Sequence, residues 1–178
     1  MFKGIKDKLK YKSGLKFLKQ ELSKPIGAVD RSHGIKSVGC IVDMDKFEDT
    51  DLFYQFQEEY SLRPNAVKII GYKSYYDKNS PYSTPVFSDK DLGWNGAIEN
   101  SYALEFLSRE YDLLVNYYTG ENLLIQLMSI QTKARFRVGF KDVDQHYNDL
   151  ILNVPINDFK TFKSELKKYL YVLDEIKN

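Results

Sequence analysis

A chain of 178 residues fits one domain, because domains typically run about 100–200 residues and this length can bury a substantial core. Apolar residues at 43% and charged residues at 29% argue against a disordered chain. The formal charge of +1 hides a segregation: residues 1–24 carry eight lysines against Asp7 and Glu21, a net of +6, which leaves −5 for the rest. Cys40 is the only cysteine, so neither an internal disulfide nor a CxxC metal or redox motif is available. His33 and His146 are far apart, and no spacing announces a metal site.

Phe2, Ile5 and Leu9 recur at helical spacing, and so do Leu15, Leu18 and Leu22. At about 100° per residue the two triplets face opposite ways on a continuous helix, and Ser13-Gly14 lies between them. Two helical pieces are expected. Residues 1–24 then form a basic amphipathic extension of an α/β domain spanning 25–178. The second piece packs on that domain, and residues 1–13 are free for a protein partner, a second copy of the chain or a membrane surface.

Pro25 and Gly27 end the helical region. Residues 37–43 are an apolar run without alternation, as expected for a strand covered on both faces. A helix capped by Asp49 or Thr50 runs to Ser61, and residues 66–71 complete a parallel, right-handed βαβ unit. The irregular stretch 72–95 carries Tyr75, Tyr76, Tyr82 and Trp94 with one strand-like piece at 85–87, a candidate surface for a small ligand or a partner. Beyond it the pattern predicts a helix near 100–110, a strand at 112–116 and a helix at 121–132. A strand at 135–140, toward the sheet edge, and a last strand at 150–154 follow. The closing helix is capped by Asn157 or Asp158. Phe159, Phe162, Leu166, Tyr169, Leu170, Leu173 and Ile176 form its inward stripe, and its charges, Glu175 included, form a solvated face. The fold class is α/β: one three-layer, Rossmann-like, doubly wound domain with a mostly parallel sheet of about five strands. A charged leading segment and the lack of a long apolar run point to the cytoplasm.

In open α/β sheets ligands gather beyond the carboxyl ends of the strands, where strand order reverses. That rule selects Asp43 and Asp45 after the first strand, Tyr72 and Lys73 after the second, and Asn116, Thr119, Gly120, Glu121 and Asn122 around the third. It also selects Lys141 after the fourth, and Trp94 joins the group as an aromatic of the irregular stretch. Asp43-Met44-Asp45 after an apolar strand resembles the first motif of haloacid-dehalogenase-type phosphatases. The resemblance implies Mg²⁺ held by the two carboxylates and phosphate-ester hydrolysis. Phe47 stands where that family has Thr or Val, while Ser74, Asp142 and Asp144 match its later motifs loosely.

From 38 to 140, the order of elements with Arg63-Pro64-Asn65-Ala66, Tyr111-Asp112-Leu113-Leu114-Val115 and Arg135-Phe136-Arg137-Val138-Gly139-Phe140 resembles the N-terminal half of heptosyltransferase-type glycosyltransferases. Those enzymes hold the nucleotide sugar mainly in a second half that a chain of this length has no room for. The whole sequence also resembles an uncharacterised family of bacterial proteins of similar length, which implies no activity or site residues. Neither GxGxxG nor GxxxxGK[ST] occurs, so no dinucleotide or P-loop nucleotide is expected, and Mg²⁺ enters only with the hydrolase reading. No nucleic-acid-binding signature is present. The leading expectation is a non-catalytic binding or accessory domain, with the Mg²⁺-dependent hydrolase and peripheral membrane attachment as alternatives.

Overall fold

The structure is a computed structural model that describes residues 4–28, 34–77, 79 and 82–177. Phe2 and His33 therefore lie outside the described residues. Six strands, β1 (Val38–Asp43), β2 (Val67–Tyr72), β3 (Val86–Phe87), β4 (Glu110–Tyr117), β5 (Lys133–Phe140) and β6 (Leu150–Leu152), form one sheet in the order β3-β2-β1-β4-β5-β6. Every pairing is parallel. This is the three-layer, doubly wound arrangement expected, with one strand more than the five anticipated. The addition is β3, whose two residues pair with Gly71 and Tyr72. Two residues cannot display a period of two, so only the pairing identifies them as a strand.

Alternation along β1 explains the layers. Cys40 and Val42 face one side, where Phe53, Phe56 and Tyr60 pack with Phe159, Phe162, Leu166 and Leu170. Those residues come from α2 (Gln55–Glu59) with its flanks and from α5 (Phe159–Val172). Ile41 faces the other side, covered by α3 (Ser101–Leu107) and α4 (Leu123–Gln131). Both faces of β1 are thus apolar, and its burial is complete along the strand.

The N-terminal segment is one continuous helix, α1 (Ile5–Leu22), and not two pieces. Gly14, read as a break, is buried, and a Cβ there would stand 3.4 Å from Leu123 and 3.6 Å from Leu127. The helix lies on α4 through this bare spot, and that packing offsets the roughly 1 kcal/mol helix cost of glycine. The opposite-face geometry of the two triplets survives the continuity. Leu18 is buried in the core, whereas Ile5 is 81% and Leu9 49% exposed.

Three further expectations are corrected. The segment after β1 opens as a 3-10 turn (Thr50–Tyr54) before α2, without a side-chain cap from Asp49. Thr50 cannot cap it because its buried hydroxyl is hydrogen-bonded to that of Thr84 at 2.7 Å. Of the two caps expected, Asp158 serves α5 by accepting from the Thr161 amide, but Tyr169, expected on the inward stripe of that helix, is 45% exposed. Glu175 is not on a solvated face but is 3% exposed, because Asp174 at φ +57° turns the chain inward beyond the helix end, where helical phase no longer applies.

Candidate functional site

Strand order reverses between β1 and β4, so the crevice to inspect lies where their carboxyl ends part. Asp43 ends β1 and is 5% exposed. One of its carboxylate oxygens accepts from the Asp45 amide at 3.1 Å, and the other lies 3.8 Å from Lys46 Nζ. Burial pushes its pKa up, against the Asp45 amide and the Lys46 charge, which pull it down. Asp45 turns toward β2, and its carboxylate accepts from the Ser74 amide at 2.9 Å. Each aspartate therefore spends an oxygen on fixing a turn.

Lys46 crosses the crevice. Its ammonium donates to the Thr119 carbonyl at 2.6 Å and lies 3.2 Å from the Thr119 hydroxyl, joining the loop after β1 to the loop after β4. The carbonyl is presented by a turn in which Gly120 has φ +76°, a conformation that favours glycine. Beneath this bridge Phe47 packs against Tyr117 with ring centroids 4.9 Å apart and the ring planes tilted at 58°. The Phe47 ring also meets Phe53 and Phe159, so the α2 and α5 side of the crevice is filled with aromatic rings.

The remaining candidates divide. Tyr72 reaches across the same end of the sheet, its hydroxyl donating to Asp89 at 2.8 Å, and burial pushes its pKa well up. Lys73 lies 3.4 Å from Glu48 and 5.8 Å above the Tyr82 ring. Asn122 caps α4 by accepting from the Ile125 amide. Glu121 and Lys141 are exposed at this end. Asn116 is buried and directed away: its amide donates to the Asn148 side chain at 2.9 Å and to the Tyr147 carbonyl at 3.3 Å. Gly139 on β5 makes that crossing possible, since a Cβ there would stand 2.3 Å from Asn148. Trp94 heads a turn packed on α1, and none of the described contacts joins it to the crevice.

Lys46 was not among the residues selected from the sequence. Its place three positions after Asp43 in an acidic turn is the only signal that could have singled it out. Among the described residues no hydrogen bond or ion pair joins Asp142 or Asp144 to Asp43 or Asp45. Asp144 instead holds its own turn, accepting from the His146 amide and lying 2.6 Å from the His146 ring, and these bonds keep its pKa low. Among the described residues no group of three or more His, Cys, Asp or Glu could hold a metal ion.

The opposite, amino end of the sheet carries a denser polar cluster. Arg135 on β5 donates to both Glu175 oxygens at 2.8 and 2.7 Å and to the Gly34 carbonyl at 2.8 Å, with Asp112 at 3.5 Å. Asp112 in turn accepts from the Lys36 amide. The nearby Arg137 donates to the carbonyls of Ser129 and Thr132 at the end of α4, and burial pulls its pKa down. A recess of about 640 Å³ opens beside the two arginines toward Leu22, Ile26 and His146. Both guanidinium groups along it are engaged by the protein itself.

No helix among the described residues is long and apolar enough to cross a membrane. No curated protein matches the chain. A family described as of unknown function, DUF6913, matches residues 10–173, and the chain belongs to that family.

Proposed function

We propose that this protein is a non-catalytic binding or accessory domain of the cytoplasm. One observation carries the reading: the crevice at the strand-order reversal, where a doubly wound sheet would receive a ligand, is bridged by Lys46 on Thr119. A reacting carboxylate needs a place beside it for its substrate. Here Asp43 and Asp45 hold backbone amides, and Phe47 and Tyr117 fill the space below.

The test is a screen of phosphate esters with Mg²⁺, run on the protein and on Asp43→Asn. The expected result is background turnover in both. Hydrolysis that Mg²⁺ raises and Asp43→Asn abolishes would replace this reading with the hydrolase one.

A further inference from the structure

Helix α1 keeps one face on the body and turns the other to solvent. Along the outer face Ile5, Leu9, Lys12, Lys16 and Lys19 follow one another at alternating steps of four and three residues, which is a single helical stripe. From end to end it runs about 21 Å at 1.5 Å per residue. Ile5 and Leu9 are exposed, and so are all three lysines. None of these lysines pairs with a carboxylate among the described residues, although Lys24 on the same segment holds Glu21 at 2.5 Å. Gly14 and Leu18 anchor the inner face, so the stripe belongs to a helix already fixed in place.

We infer that this stripe docks the protein on an anionic phospholipid surface, with Lys12, Lys16 and Lys19 against headgroup phosphates and Ile5 and Leu9 at the acyl boundary. The charge complementarity is direct, because uncompensated lysines concentrate on the one helix whose segment carries the net +6. The apolar end selects the lipid over other polyanions. A nucleic-acid backbone would take the lysines and leave Ile5 and Leu9 in water, whereas a bilayer interface receives both kinds of group along one line. This rests on the reading above in taking association as the protein's work.

The experiment is sedimentation of the full chain with vesicles of phosphatidylcholine, with and without phosphatidylserine. Binding is expected only with phosphatidylserine, and it is expected to fade toward about 1 M salt, where screening acts over roughly 3 Å. Each lysine contributes about fivefold to partitioning, so Lys12→Ala with Lys16→Ala and Lys19→Ala is expected to weaken it about 100-fold. Ile5→Ser with Leu9→Ser is expected to weaken binding without changing its salt dependence. Circular dichroism checks that both variants stay folded, which their exposed positions favour. No sedimentation with phosphatidylserine at low salt overturns the inference. So does equal binding to phosphatidylcholine alone, full binding by the lysine variant, or binding to a DNA duplex in place of vesicles. Any of these leaves the non-catalytic reading standing, which only turnover can remove.

Discussion

Replacing Glu175 by alanine strips the half-buried Arg135 of its main counter-charge. The Glu175 side chain is wholly buried and that of Arg135 is 13% exposed, so water can do little to compensate either group. Breaking a buried ion pair by removing one partner costs about 3–5 kcal/mol. The Gly34 carbonyl and Asp112 remain on the guanidinium, which points to the lower end, about 3 kcal/mol. For a domain of this size each kcal/mol moves the melting temperature by about 2–4 °C, so Glu175→Ala is expected to melt roughly 6–12 °C lower. Thermal melts followed by circular dichroism read this directly. Glu175→Leu combined with Arg135→Met removes both charges and is expected to lose less than the two single changes together. A drop below about 2 °C for Glu175→Ala, or strictly additive single changes, would refute the reasoning that this pair clasps the chain's end to its first loop.

Gly139→Ala would push a Cβ into Asn148 and part the buried Asn116–Asn148 amides, at a cost of about 2 kcal/mol or roughly 4–8 °C in melting temperature. The loss is expected to shrink in an Asn148→Ala background, and a loss of the same size there would show that the clash is not its cause. For Asp43→Asn the sign follows from the raised native pKa, which makes the folded state bind the proton more tightly than the unfolded one. The carboxylate's penalty is therefore absent below about pH 4 and complete once the pH has passed the native value. The melting-temperature difference, variant minus native, is expected to be more positive at pH 7 than at pH 4. A difference that stays flat across that interval would count against burial as the main influence on Asp43.

What the sequence disclosed and what it concealed divide along a physical line. Strand β1 was legible because its apolar run is unbroken, and a run of that kind belongs between two covered faces. The strand ends were legible too, so Asp43, Tyr72 and Thr119 fall at one end of the sheet as expected. What each side chain does there was not, since the partner of Lys46 is 73 residues away and that of Arg135 is 40 away. Gly14 misled because a glycine in a helical pattern signals either a break or a close approach, and only Leu123 and Leu127 on α4 decide which. Glu175 misled in the same way: a wheel drawn past the end of α5 assigns a direction to a residue that is no longer helical.

The wholly parallel sheet bears on how the chain must be made. Among the described residues no two strands are joined by a hairpin, and central β1, paired early with β2, receives its second neighbour only when β4 has been synthesised, about 75 residues further on. A nascent or truncated chain ending before residue 110 therefore presents β1 as an apolar strand with a bare hydrogen-bonding edge, the template on which other chains assemble. Fragments cut between β3 and β4 are expected to be recovered as aggregates, whereas fragments that reach past β5 have the middle of the sheet closed on both sides.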